Sequence, residues 1–439
     1  MSVVIEIGES LARALSGAKG WRFTIRSAHS VRVGIDDNRL GGAYSPPRSQ
    51  SEISGGVFII WQDGSCSRGK IDSRTIHRLP QNMEMWRSLA YRDDDAAYIA
   101  ELAPPTSVEL VDPRIGEVAS GSSTSVFETL AEIASAAREG GAEVIDAQAG
   151  CSASETIVAT SRGLWVKYPE TMAWCEWDLD KTFGDSRLGR SLESWQALER
   201  SVSGTAERAM ASKTVGSLPS RDMTVLLAPE VADSFIGHYL ASNMNGEAVA
   251  ERRSRYSLDQ FRSGDMAFRH DLDLLVDTVI PFGSGSSPCT PEGIPSGRAA
   301  LAEGGRLVTP ILDAKYSRRC GMAPTPVPAA GLSAGHAGML LCTRQMEAWQ
   351  DMMHGACDSL LVSTVLGMHT QDPATGNFSL AAPDSILIRD GRFAGAVKAV
   401  ISGNFFDALQ ADGSRFGLDS DHPNPGIALN CHVEAGPAE

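Results

Sequence analysis

Three stretches of this chain combine residue types and spacings that could do chemistry, and each is tested by the context it needs. Gly331-Leu-Ser333-Ala-Gly335, followed at once by His336, fits the G-x-S-x-G pattern of a nucleophile elbow. Such an elbow needs a strand running into the serine and a helix leaving it. Pro324, Pro326 and Pro328 precede this serine and no strand-helix alternation surrounds it, so the context argues against a serine hydrolase. Gly283-Ser-Gly-Ser-Ser287 resembles a phosphate cradle but lacks both a G-K-[ST] ending and G-x-G-x-x-G spacing, so a flexible loop is expected. The nine histidines include no H-E-x-x-H and no pair at i, i+4. His270-Asp271-Leu272-Asp273 and His354-Gly-Ala-Cys357 each set one imidazole near an acid or a thiol, which is weak for a metal and is expected to be structural. His238 follows Val231 and Phe235 on one helical face and is expected to pack there.

The elements that must position these groups follow from hydrophobic periodicity. Ile7, Leu11, Ala14 and Leu15 form an amphipathic helix, and RFTIR (22–26), SVRVGI (30–35) and GVFIIWQDG (56–64) alternate as antiparallel strands. A helix is expected over 82–102, with Asp93-Asp-Asp95 as a solvated cap and Ala103–Ser107 as a linker. A second block opens with a helix signposted by the Ser125-Val-Phe-Glu128 capping-box spacing and stopped by Gly140-Gly141. Strand candidates at 143–148, 155–160, 163–168 and 172–179 and a helical stretch over 191–212 complete it. After Val215–Ser220 come the strand 223–228, a helix from Pro229-Glu230, and short strands with dense Gly and Pro. The fold class is therefore α+β: an N-terminal helix-plus-sheet region (1–106), a middle α+β block (107–216) and a β-rich C-terminal domain with long loops (217–439).

Composition narrows the function classes. The chain has 439 residues, 42% of them hydrophobic, which is enough for two or three domains with their own cores. Lys plus Arg number 39 against 54 Asp plus Glu, a net charge of −15 that argues against nucleic acid as the main partner. No window approaches a membrane span, so no membrane partner is expected. The opening MSVVIEIGESLARALSG lacks a basic leader and cleavage site, so a cytoplasmic location is expected and the sequon Asn377-Phe-Ser379 is expected to be silent. Eight cysteines without a C-x-x-C pair are expected to be reduced thiols.

From residue 223 the chain resembles the TldD/PmbA family, known as modulators of DNA gyrase and as a two-subunit zinc peptidase system. The stretches that carry the resemblance are 225–249, Pro291-Glu-Gly-Ile-Pro295, 305–321, 360–380 and 399–409. Gly367-Met-His-Thr with Pro373-Ala-Thr-Gly376-Asn-Phe-Ser379 is its most specific signature, supported by Gly403-Asn404. The resemblance implies His238, Gly246, Glu292, Gly293, Pro295, Gly367, His369, Gly376 and Asn404 as family-motif or peptide-chamber residues, with the glycines and Asn404 read as fold determinants.

The catalytic TldD branch carries H-E-x-x-x-H on the helix after this strand, with a cysteine near the C-terminus completing a zinc site. Counted without a gap, those positions here are Gly237, His238 and Ser242; in the alternative register they are Asp233, Ser234 and His238. Residues 413–425 contain no cysteine, and Cys431 falls in the expected last strand. The resemblance therefore implies the TldE/PmbA-like branch: no catalytic residue, no metal bound by this chain, and zinc in a TldD-like partner with which it forms a heterodimer. The expected substrate is an extended or unfolded peptide such as a leader peptide. The alternatives are a stand-alone metallopeptidase with a divergent metal site drawn from His238, His270, His354 or Cys431, and a homo-oligomeric peptide-binding or scaffold protein, self-associating for example as a homodimer.

Overall fold

A computed structural model describes residues 2–35, 44–121, 124–180, 183–328, 338–419 and 422–436. The G-x-S-x-G stretch and His336 lie outside the described residues.

The N-terminal half is built on one long antiparallel sheet. Its strands are β1 (Gly20–Ile35), β2 (Tyr44–Ile60), β3 (Cys66–Asp72), β4 (Val144–Thr160), β5 (Trp165–Leu179) and β6 (Phe183–Gly189), in the order β3-β2-β1-β4-β5-β6. β1 pairs with β2 on one side and with β4 on the other, from Arg22↔Thr160 to Ile35↔Ala147. Residues 1–106 and 107–216 thus build one layer in common, and the division expected at residue 106 cuts across it. The separate strands expected at 22–26 and 30–35 are one strand, as are those at 143–148 and 155–160.

Helices cover the sheet where its alternating apolar residues face them. α1 (Val3–Ala14) buries Val4, Ile7 and Leu11 over Phe23, Ile25, Val57, Ile59 and Ile157. Ala14, expected on that face, is exposed. α2 (Leu79–Ser88) ends fourteen residues earlier than the expected helix at 102; its one buried residue is Trp86, and Ala96 and Ile99 instead pack in turn and extended chain on Phe58, Ile60 and Cys66. α3 (Pro113–Gly121), α4 (Thr124–Glu139) and α5 (Leu198–Ala211) cover the other end of the sheet. Ser125 lies inside α4 rather than capping it, and the helix stops as expected at Gly141, whose φ of +78° suits a residue without a Cβ.

The C-terminal half carries β7 (Arg221–Leu227), β8 (Leu272–Asp277), β9 (Arg298–Glu303), β10 (Arg306–Leu307), β11 (Met339–Thr343), β12 (Met346–Ala348), β13 (Ser359–Val362), β14 (Asn377–Arg389), β15 (Arg392–Asn404), β16 (Arg415–Leu418) and β17 (Gly426–Ala435). β7, β13, β14, β15 and β17 close into a barrel, because β17 pairs with β15 on one side and with β7 on the other. A smaller sheet, β10-β9-β8-β11, stands beside it. The α+β class with a β-rich C-terminal part holds. Among the described residues no helix is long and apolar enough to cross a membrane.

Candidate functional site: a crevice between the sheet and the barrel domain

Strand alternation gives β1, β2 and β3 two unlike faces. Phe23, Ile25, Val57 and Ile59 point to α1, while Arg22, Thr24, Gly56, Phe58 and Arg68 share the opposite face, since Arg22 pairs with Phe58, Thr24 with Gly56, and Phe58 with Arg68. The guanidiniums of Arg22 and Arg68 lie over the Phe58 ring, 4.4 and 5.8 Å from its centroid. This face looks onto residues 290–328 across a cavity of about 360 Å³.

The Pro291–Pro295 motif is fixed from both sides. Gly293 turns it with φ +83°, and Glu292 Oε1 accepts from Arg22 Nη2 at 2.5 Å while its Oε2 accepts from the Ala314 N–H at 2.6 Å. Burial lowers the Arg22 pKa, opposed by the charge of Glu292. Glu292 is therefore spent on joining the two halves of the molecule. Past Arg68 and Asp313, which border both spaces, the crevice continues into a cavity of about 670 Å³ lined by Gly237, Ser242 and Asn245.

Gly237 and Ser242 reach that cavity because of an unusual helix. α6 (Pro229–Phe235) starts with proline at its first turn, then widens into a π-helical turn over Ile236–Ala241 before regaining α geometry at Ser242. Phe235, Tyr239 and Leu240 are buried on one side of it. His238 is half-buried, its Nε2 3.1 Å from the Gln371 carbonyl and its ring edge-on to Tyr239, so it does not sit in the core beside Phe235 as expected.

The signature residues form a scaffold around this turn. Tyr239 donates its hydroxyl to the Asn377 carbonyl at 3.0 Å, and Asn243 Nδ2 donates to the Tyr239 and Pro373 carbonyls. Asn404 Oδ1 accepts from the N–H groups of Phe406 and Asp407, and its Nδ2 donates to the Thr375 carbonyl and Asn377 Oδ1. Gly376 has φ +77°, and a Cβ there would lie 2.3 Å from the Phe406 ring. Gly246 donates its N–H to the Ile311 carbonyl at 2.9 Å, an approach a Cβ would block. Gly367, with φ +92°, opens the exposed turn that carries His369, and Pro295 lies in a bridge with Cys289.

The other sequence-singled groups lie apart from this crevice. His270 is exposed, while Asp271 pairs with Arg269 and Asp273 accepts from the Gly304 N–H. All eight cysteines are unpaired, and burial pushes the Cys431 thiol up to about 12, as expected for a small hydrophobe packed in β17. Asp93, in contrast, reaches the border of the crevice, where it holds Lys315 at 2.9 Å. The Gly283–Ser287 loop presents carbonyls, not N–H groups, to its occupant: those of Gly283, Ser284 and Ser286 accept from Arg190. That polarity suits a cation and not a phosphate.

One cluster was invisible in the sequence. His422 Nε2 lies 3.2 Å from Glu230 Oε1 and 3.7 Å from Asp185 Oδ1, and Arg187 Nη1 donates to Asp185 at 2.9 Å. Among the described residues it is the single group of three potential metal ligands. Its members come from β6, α6 and the chain before β17, so no spacing could have signalled them. Asp233, one helical turn on from Glu230, receives the Asn424 amide at 2.8 Å.

Burial, reinforced by the Glu230 charge, raises Asp185 to about 6. Burial also raises Asp233 to about 6, against the Asn424 hydrogen bond. Burial pulls His422 down, but Glu230 and Asp185 outweigh it and its pKa is raised. All three groups hold protons more tightly folded than unfolded, so their stabilisation is present at low pH and is lost as pH rises from 3.8 through about 6 and, for His422, beyond 6.5. Glu230 is lowered and works in the opposite sense below 4.5. Asp233→Asn keeps an acceptor for Asn424 and removes one titration. Its thermal midpoint is expected to fall less steeply than the wild type's between pH 4 and 7, by on the order of a few degrees. Parallel melting curves for the two proteins would refute this assignment.

Comparison with known proteins places these features. The sequence profile described as the PmbA/TldA metallopeptidase C-terminal domain matches residues 220–425. The fold of TldE from Thermococcus kodakarensis superposes with a TM-score of 0.80 at 18% identity, covering 98% of this chain and 100% of that one. A Thermotoga maritima protein described as a modulator of a DNA gyrase gives 0.79 at 17% identity, with the same coverage. In sequence, an uncharacterized protein of Methanocaldococcus jannaschii is 21% identical over 189 residues, so the match spans 42% of this chain and 44% of that relative's length. With the signature residues of 367–404 built around the π-helical turn and this barrel behind them, residues 220–425 belong to the TldD/PmbA family, and the chain as a whole shares the fold of TldE.

Proposed function

We propose that this chain is the non-cleaving, TldE-like subunit of a peptide-processing assembly, binding extended peptides while a zinc-bearing TldD-like partner cuts them. The observation that carries the reading is the donor set at the family's zinc positions. Gly237 has no side chain, Ser242 offers a hydroxyl, and His238 is held by the Gln371 carbonyl. The alternative register offers Asp233, which is taken by Asn424. Zinc sites need three nitrogen, sulfur or carboxylate donors around one point, and these residues do not fit the metal. No catalytic step is assigned to this chain.

The test is elemental mass spectrometry of the purified protein after growth in zinc-supplemented medium, together with cleavage of an unfolded peptide by the chain alone and with a TldD-like partner. Near-zero zinc, no cleavage alone and cleavage by the pair are expected. One zinc per chain surviving dialysis, with chelator-sensitive cleavage by the chain alone, would favour the stand-alone reading. Asp185, Glu230 and His422 would then be the first ligands to replace, because their donor atoms lie within 4.8 Å of one another.

A further inference from the structure

The acids bordering the crevice leave one cation unheld: Asp313, which borders both cavities, caps the following helix by accepting the Tyr316 N–H at 2.7 Å and makes no ion pair among the described residues. Of the cationic side chains bordering its two cavities, Arg22 is paired with Glu292, Arg253 with Glu247, and Lys315 with Asp93. Arg68 stands where the cavities meet and, among the described residues, has no carboxylate partner; its guanidinium only stacks on Phe58. Behind it the smaller cavity is mainly apolar, with Phe58, Ile294, Leu312 and Val327 in its walls. Thr24, also in its wall, has a buried hydroxyl with no hydrogen-bond partner among the described residues. An apolar pocket with one unspent cation at its mouth and one unspent hydroxyl in its wall suits a ligand that is apolar at one end and anionic beside it.

We propose that the 360 Å³ cavity takes an apolar side chain of a bound peptide while Arg68 binds the carboxylate next to it. The proposal rests on the peptide-binding reading above and adds a preference to it. The carboxylate has two sources: the α-carboxylate of a peptide C-terminus, or an acidic side chain adjacent to the apolar residue. Arg68 reaches either from the rim, since it is exposed and its guanidinium lies over the Phe58 ring.

The fold supplies a second handle. Gly56 sits on β2 opposite Thr24, borders the cavity, and a Cβ there would meet nothing nearer than the Gly69 carbonyl at 3.7 Å. Gly56→Leu would therefore start from open space and extend toward the cavity.

The test is fluorescence anisotropy with the full chain and three labelled tetrapeptides: one ending in leucine with a free carboxylate, its C-terminal amide, and an amidated version with glutamate beside the leucine. The free acid is expected to bind about tenfold or more tighter than the plain amide, the value of a charge-assisted contact. Arg68→Gln should remove that difference, and Gly56→Leu should weaken acid and amide alike. If the glutamate peptide regains the lost affinity, a side-chain carboxylate serves as well; if not, the pocket reads the terminus. Equal binding of all three peptides, or an acid preference that survives Arg68→Gln, overturns the carboxylate anchor while leaving peptide binding intact. No binding of any peptide, by the chain alone or with its partner, overturns the anchor and the peptide-binding reading together. Circular dichroism and thermal melts of both variants confirm that each comparison is made on folded protein.

Discussion

Phe235→Ala is expected to cost about 3–5 kcal/mol and to lower the thermal midpoint more than any other single truncation in α6. Phe235 has no exposed surface. Its ring lies 5.1 Å from Phe378, 5.2 Å from Phe405 and 5.8 Å from Tyr239, so it joins the helix to β14 and to the helix after β15. Truncation would leave a cavity among three rings that are themselves pinned, Tyr239 by its hydrogen bond to Asn377, Phe405 by its backbone bond to Gly376 and Phe378 by its place in β14 opposite Gly403. The neighbours cannot collapse into the hole, which is the condition under which the cavity contribution is largest. His238→Ala, one turn away, removes a single contact to a carbonyl and should cost about 1 kcal/mol or less. Chemical denaturation of the two variants side by side decides the matter. Equal losses would mean that the helix is held by its polar contacts and not by aromatic packing.

Arg190→Met should be as damaging by a different route. Arg190 is 6% exposed, and it bonds Glu170 at 2.7 Å while filling the ring of carbonyls from Gly283, Ser284 and Ser286. Glu170, 12% exposed, also holds Arg26 at 2.9 Å. Burial pushes the Glu170 pKa up, but Arg190 and Arg26 overcome it and the net direction is down. Removing the central cation leaves a buried carboxylate short of a partner and three carbonyls facing an apolar side chain. Breaking a buried pair in this way costs about 3–5 kcal/mol. Limited proteolysis adds a local readout: in Arg190→Met the 283–287 loop should become the first cleavage site, whereas in the wild type it should resist. Unchanged melting and an uncut loop would show that the carbonyls find other donors.

Local pattern carried the elements well and their limits poorly. Alternation at Phe23, Ile25, Val31 and Val33 announced strands, but the polar Ser27-Ala-His29 between them read as a break. The strand continues because Ser27 is paired on both sides, with Ile53 and with Glu155, and backbone pairing does not require an apolar side chain. The opposite error occurred after α2, where Ala96, Ala97 and Ile99 look helical and instead pack against β2. The family motif residues were legible because they cluster in sequence. The crevice they border was not, since it depends on Arg22 meeting Glu292 and on Arg68 and Asp313 lining one cavity from distant parts of the chain. The Asp185, Glu230 and His422 cluster shows the same limit: charged residues scattered over more than half the chain carry no common signal until the fold assembles them.

The strand that closes the barrel has a kinetic meaning. β17 aligns Val433 with Arg221 of β7, joining residues roughly 200 apart, and the loop-closure entropy of that join must be met before its hydrogen bonds form. Until β17 leaves the ribosome, β7 and part of β15 are open edges, each able to capture a strand from another chain. During synthesis the N-terminal sheet has all six of its strands early, while the family's signature residues wait on an unfinished barrel. A nascent chain stalled before residue 426 should therefore be the aggregation-prone and chaperone-dependent species of this protein.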